Sequence, residues 1–339
     1  MQLSVNALTL HEMNINLVRQ SLKTLKQATK QQIAEATGLS TVTVATIIHQ
    51  LTYNNESFEA DQAPSRGGRP AHRYRFNENF AHVLTLFSHE QDGEDLLHIR
   101  VANLYGECIH TRDVVLEDIR LGSFEPWIDA CLLEFPSIRA IGFGLPGVEV
   151  DGKIVLLDYP ALVGARLTEL YSRRYQLPVV FENDVNAAAV GYCKRTDILS
   201  SAAVVYVYFP KKYAPGAGIY LYGKLYKGSS NFAGEISRIP LDIDWQDQAL
   251  YQSPEMFCPA IAKIVITICS LLNPDSVVLH GSFLTDVSIQ TILEICAAKL
   301  PNTSVPSVLL SDDFTSDFQA GMIAETLDCL QPHLSLIQQ

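Results

Sequence analysis

The sequence predicts an α/β protein in two parts, a small helical head at the N-terminus and a larger, two-lobed α/β body. Three observations carry this. Apolar residues recur at helical spacing through the first fifty residues and are interrupted by a glycine turn. From about residue 79 the pattern changes to strands alternating with helices. Charge divides near the same place. Residues 1–76 hold eight Lys and Arg against five acids, a net +3, within a chain of formal charge −12, which leaves −15 on the rest. A basic head on an acidic body points to a polyanionic partner for the head alone.

In the head, Ile15, Val18, Leu22 and Leu25 predict an amphipathic helix over about 14–27. Thr29-x-x-Gln32 has the form of a capping box opening a short helix, Lys30–Thr37. Gly38 can supply the left-handed turn that ends it, and Ser40 can cap the next helix, whose apolar stripe is Val44, Ile47, Ile48 and Leu51. Two helices joined by a short glycine-containing turn match the helix-turn-helix pattern, in which the second helix enters the major groove. Its outer face carries Ser40, Thr41, Thr43 and Thr46, hydroxyls that can reach phosphates or base edges. A polar run, Asn54–Asp61, leads to Pro64-Ser65-Arg66-Gly67-Gly68-Arg69-Pro70 and an alternating strand, His72–Phe76. This reads as a winged helix whose wing, Arg66, Gly67 and Arg69, suits a narrow minor groove because glycine lets the backbone approach closely. The expected partner is double-stranded DNA.

In the body, strands are expected at Ala81–Leu86, Leu97–Ala102 and Cys108–Leu116, and a helix at Phe124–Glu134. A buried strand, Arg139–Phe143, precedes a helix at Leu162–Tyr175, a strand at Val179–Glu182 and a helix from Asn183 to Tyr192. Strands at Ala202–Phe209 and Gly218–Tyr222 begin a second unit, with a long helix at Pro254–Leu272, a strand at Ser276–His280, and helices near Thr285–Leu300 and Phe314–Leu330. The domain boundaries that follow are 1–78, 79–195, 196–313 and a C-terminal helix within 314–339. A hydrophobic content of 47% is that of a folded globular chain. No apolar run approaches the roughly 20 residues of a membrane span, and the N-terminus lacks the pattern of a signal peptide, so a cytoplasmic location is expected. Seven scattered cysteines without a CxxC pair suit a reducing compartment and no sequence-local zinc cluster.

Four segments occur in order: IGFGLPGVEVDGKIV, LPVVFENDVNAAAVG, GAGIYLYGKLYKGSSNFAGEISRIP and LLNPDSVVLHG. Together with the GRPAHRYRFN wing they resemble the ROK family of sugar kinases and sugar-responsive repressors, and specifically its repressor branch. The resemblance implies an actin-like ATPase, ribonuclease H-like body with two lobes around a sugar cleft. It further implies that Asn183 and Asp184 hold sugar hydroxyls, Asp184 standing where the kinases keep their general base, and that Glu235 contacts the sugar. The same Asn-Asp pair also fits a helix N-cap.

The departures from the family bear on activity. Where the kinases carry a DxGGT phosphate loop, this chain has Phe87-Ser88-His89-Glu90-Gln91-Asp92, acidic and without paired glycines. The second phosphate loop reads Phe209-Pro210-Lys211-Lys212-Tyr213-Ala214-Pro215, and the paired glycines near the base become His280-Gly281. The family's zinc His is replaced by Arg238, and Cys258 stands alone, so no metal or other cofactor is expected. Arg238, a permanent cation, would favour an acidic or phosphorylated sugar. The expected protein is therefore a non-enzymatic regulator of carbohydrate genes. Its partners would be an operator, a sugar or sugar-phosphate effector bound by Asn183, Asp184, Glu235 and Arg238, and a second copy in a homodimer or higher oligomer. A sugar kinase with a DNA-binding head is the alternative, carried by the retained Asp184.

Overall fold

The computed structural model describes residues 7–62, 71–91, 93–116, 119–199 and 201–330. These fall into two compact units. Among the described residues, one comprises those up to His82 together with Asn103–Glu107, and the other comprises Val83–Ala102 and those from 108 to 330.

The first unit opens with α1 (Ala7–Leu25), then β1 (Gln27–Thr29), α2 (Lys30–Thr37), α3 (Thr41–Tyr53), β2 (Ser57–Gln62) and β3 (His72–Phe76). Helix α1 ends two residues before the expected limit, because Lys26 takes a left-handed φ of 59° and turns the chain into β1. The Asn54–Asp61 run is mostly strand: β2 pairs antiparallel with β3, giving a three-stranded sheet in the order β1-β3-β2. Val18, Leu22, Ile33, Val44, Ile47, Ile48, Leu51 and Phe76 form one core beneath the three helices. Arg19 bridges Glu56 at 2.7 Å, tying α1 to the end of α3. The boundary expected at 78 moves, since Leu104 N donates to Glu78 O at 2.9 Å and Tyr105 packs edge-on to Phe76 at 5.9 Å. The wing residues Arg66, Gly67 and Arg69 lie outside the described residues.

The second unit contains β4 (His82–Gln91), β5 (Glu94–Asn103), β6 (Cys108–Val115), α4 (Glu125–Glu134), β7 (Ile138–Leu145), β8 (Gly147–Val150), β9 (Lys153–Leu157), α5 (Leu167–Tyr175), β10 (Val179–Asn183) and α6 (Asp184–Arg195). It continues with β11 (Ala203–Tyr208), β12 (Gly216–Leu221), β13 (Lys224–Leu225), α7 (Pro254–Leu272), β14 (Ser276–His280), α8 (Asp286–Ala297), β15 (Ser307–Leu310) and α9 (Phe314–Asp328). Two five-stranded mixed sheets result, ordered β10-β7-β4-β5-β6 and β13-β12-β11-β14-β15. Strand β10 runs parallel to β7, and β14 runs parallel to both β11 and β15. The β8–β9 hairpin was not expected from the sequence. Strand β4 continues through the segment read as a phosphate-loop position, as far as Gln91.

Each sheet has its own apolar core on one face, with α4 and α5 against the first and α7 and α8 against the second. By length and composition α7 could cross a membrane, yet Phe257, Cys258, Ile261, Ile264, Val265 and Ile268 are buried in the second core. Helices α6 and α9 cross closely between the sheets. A Cβ on Gly191 would stand 1.8 Å from Asp317 O, and one on Gly321 would stand 1.8 Å from Ala187 O, so only glycine permits this approach. Asp317, fully buried on α9, accepts from Arg195 Nε at 3.0 Å, Tyr206 OH at 3.0 Å and Ser311 Oγ at 2.5 Å, fixing α9 against α6 and β11.

Candidate functional site

In the first unit, Thr29 and Gln32 cap α2 reciprocally and Gly38 closes it at φ +70° with its N–H on Ala34 O at 2.9 Å. Ser40 caps α3 by accepting Thr43 N–H at 3.1 Å. Capping consumes much of the expected hydrogen-bonding face. Ser40 Oγ and Thr43 Oγ1 bond each other at 2.8 Å, and Thr46 Oγ1 donates to Val42 O at 3.1 Å. Ser40, Thr41 and Thr46 are exposed and Thr43 is half-buried. Val42, at 75% exposure, and His49 share the solvent-facing surface of α3 and were not singled out from the sequence, because an apolar residue there reads as core.

In the second unit, a cavity of about 130 Å³ is lined by all four expected effector residues, Asn183, Asp184, Glu235 and Arg238. The end of β10 delivers the first two. Asn183 is the N-cap of α6: its Oδ1 accepts from Val185 N at 3.0 Å and Asn186 N at 3.1 Å, while Nδ2 donates to Gly147 O at 3.2 Å. Capping thus occupies its oxygen and leaves one amide hydrogen for a ligand. The neighbouring Glu182 is paired with Lys227 and accepts from Asn183 N and Asn186 Nδ2, which holds the strand-to-helix turn rather than facing a ligand.

Glu235 is placed by Gly234, which sits at φ +98° with a Cβ position 1.9 Å from Ala217 O and whose carbonyl accepts Ala217 N–H at 2.9 Å. Arg238 ends the short turn that follows Glu235 and is exposed. Its charge draws the Glu235 carboxyl down, but burial outweighs it and the net shift is upward.

Asp158, a residue the sequence reading missed, adds a third carboxyl to the cavity. It follows the β8–β9 hairpin, which the sequence reading passed over. Burial, then repulsion from Glu235, pushes Asp158 up to about 7. Asp184, only 5% exposed, is likewise pushed up to about 7, by burial first and then by Asp158. Hydroxyl-rich ligands suit such a site, since a carboxyl near its midpoint can accept or donate. The acidic ring works against the expectation, drawn from Arg238, of an anionic sugar.

A second cavity of about 270 Å³ adjoins the first, with Tyr208, Pro210, Lys211, His280 and Phe314 among its walls. His89 faces both cavities. Burial and the facing His98 and His280 drive its imidazole down to about 3, so it is neutral, with Nε2 against Thr315 Oγ1 at 3.2 Å. Glu90 Oε1 accepts Gly93 N–H at 2.6 Å and Oε2 accepts Lys211 N–H at 3.0 Å. Asp95 accepts from Lys212 Nζ at 2.7 Å and Tyr213 OH at 3.2 Å. Cys258 is buried in α7, its thiol against Ser288 O. Among the described residues no group of His, Cys, Asp and Glu is arranged to hold a metal ion.

Residues 104–259 match the ROK family. A xylose repressor of Caldicellulosiruptor bescii is 23% identical over 262 residues, covering 71% of this chain and 61% of that protein. The chain thus spans about three fifths of the length of that curated relative. An N-acetyl-D-glucosamine kinase of Vibrio vulnificus is 30% identical over 113 residues, 32% of this chain and 37% of the kinase. Among solved structures, a ROK family transcriptional regulator, a homolog of the Escherichia coli Mlc protein, superposes with a TM-score of 0.67 at 16% identity, over 94% of this chain and 98% of that one. At that identity the likeness concerns the fold.

Proposed function

We propose that this chain, whose residues 104–259 match the ROK family, is a sugar-responsive, DNA-binding transcriptional repressor. The observation that carries the reading is the polar cavity, where Asn183, Asp184, Glu235 and Asp158 converge. The head supports it: α2 and α3, joined by the Gly38 turn and followed by the β2–β3 pair, are read as a winged helix-turn-helix in which α3 enters the major groove. Effector binding in the cavity shifts the population between states of differing operator affinity, so a sugar that prefers the low-affinity state relieves repression. The protein acts as a homodimer on a two-fold site.

The test is selection of double-stranded DNA from a random pool on the immobilised full chain, followed by challenge with pentoses, hexoses and their phosphates. Enrichment of a two-fold motif, with release of that DNA by at least one sugar, is the expected result. Failure to enrich any sequence rejects the reading. A kinase reading draws on Asp184 and on the similarity to the N-acetyl-D-glucosamine kinase. Sugar-dependent ADP release at about 1 s⁻¹ or faster, in the usual enzymatic range, would favour it.

A further inference from the structure

The Glu90 carboxylate has a setting unlike that of an ordinary surface acid. It is 7% exposed and its two oxygens are held by backbone N–H groups from separate parts of the chain, Gly93 at 2.6 Å and Lys211 at 3.0 Å. The first lies in the turn between β4 and β5, at φ +90°, and the second lies in the loop between β11 and β12. Convergent backbone N–H groups on turns form a concave site for anions. Here the anion is part of the protein.

The surrounding contacts hold the same two segments together. Asp95, on β5, takes Lys212 Nζ at 2.7 Å and Tyr213 OH at 3.2 Å, so successive residues Lys211, Lys212 and Tyr213 are all bound to acids of the β4–β5 hairpin. Tyr208 OH reaches Glu90 O at 3.4 Å. Gln248 Nε2 donates to Lys211 O at 3.2 Å, holding the carbonyl side of the residue whose own N–H faces Glu90. Glu90 borders both cavities, and Tyr213 borders the first.

We propose that Glu90 is an internal anion that determines what the cleft admits. Its carboxylate fills the cradle formed by the Gly93 and Lys211 amides, and so bars phosphate-chain ligands from the passage between the two cavities. Two effects act together. The donors an entering phosphate oxygen needs are already engaged, and a fixed negative charge stands where that oxygen would lie. The hydroxyl-binding cavity is left accessible to uncharged ligands. The residue is thus a selectivity determinant for the cleft, whatever the DNA target of the head.

The experiment uses the full chain and inorganic pyrophosphate as the probe, followed by isothermal titration calorimetry. Wild type is expected not to bind measurably. Glu90→Ala frees both amides and removes the charge, and should bind pyrophosphate at least about tenfold more tightly than wild type, the scale of one charge-assisted hydrogen bond. Glu90→Asp, one methylene shorter and unable to span both donors, should change in the same direction and serves if the alanine variant does not fold. Asp95→Asn releases the loop without emptying the cradle and should gain nothing. Tight pyrophosphate binding by wild type overturns the proposal. So does a folded Glu90→Ala or Glu90→Asp variant with no gain, or an equal gain in Asp95→Asn.

Discussion

Asp184 stands where burial disfavours charge and where a ligand would need a carboxyl. Its carboxyl is raised from 3.8 to about 7, by burial first and then by Asp158. The sign of the resulting pH dependence follows directly. Between about pH 4 and pH 7 the unfolded chain has released this proton while the folded chain keeps it. Its contribution to stability is therefore complete at the acid end of that window and is lost as pH rises through about 7. Asp184→Asn removes the burial cost of the charge, so urea unfolding at pH 8 should show the variant more stable by on the order of 1–3 kcal/mol, with little difference at pH 4.5. The same variant should lose sugar-dependent release of DNA, which separates the residue's role in binding from its effect on folding. A variant that retained its sugar response would remove Asp184 from the effector site.

At the scale of elements, the crossing of α6 and α9 depends on two glycines. Gly321→Val would drive a side chain into Ala187 O, 1.8 Å from the Cβ position, against backbone that cannot move without shifting α6. Thermal or urea unfolding should show a loss of about 3 kcal/mol or more, at the upper end of overpacking effects. Gly122→Ala, where nothing lies within 4 Å of the Cβ position, is the matched control and should be near neutral. These glycines were not legible in the sequence, because close helix approach is a tertiary fact that leaves no local periodicity. What was legible had local causes: the Thr29–Gln32 box, the Gly38 cap, the α3 stripe and the bounds of α7 all follow from short-range chemistry. Strand β2 was missed because its polar run gains its partner β3 only across a bulge at Glu59–Gln62. The β8–β9 hairpin was legible, since Asp151-Gly152, both at positive φ, is a hairpin turn between Gly147–Val150 and Lys153–Leu157, and it was passed over. Asp158 was missed with the hairpin that precedes it. Conversely, the helix start at Asn183-Asp184 was legible, because Asn is a preferred N-cap and Asp suits a first turn; their role toward a ligand belongs to the proposed function.

For the whole molecule the governing quantity is the uneven distribution of charge, a net +3 on residues 1–76 within a chain of −12. An acidic body repels a DNA backbone, so attraction must come from few cations, and each should register strongly in the salt dependence of binding. The proposed role of Arg66 and Arg69 in the minor groove rests on their sequence setting, with Gly67 and Gly68 between them and Pro70 after. Narrow A·T-rich minor grooves concentrate negative potential and favour arginine there. Arg69→Ala should therefore lower affinity for the selected operator and flatten the plot of log affinity against log salt by about 0.9, one counterion fewer released. It should also erode preference for A·T pairs at the wing positions while leaving preferences under α3 unchanged. Thr41→Ala should do the reverse, shifting base preference in the major-groove half-site by roughly 1–3 kcal/mol per lost contact with little change in salt slope. Fluorescence anisotropy on the full chain, at several salt concentrations and with single-base operator variants, measures both. If Arg69→Ala keeps wild-type affinity, slope and base preference, the segment is a linker, and DNA recognition rests on α3 and the strand-borne arginines Arg73 and Arg75 instead.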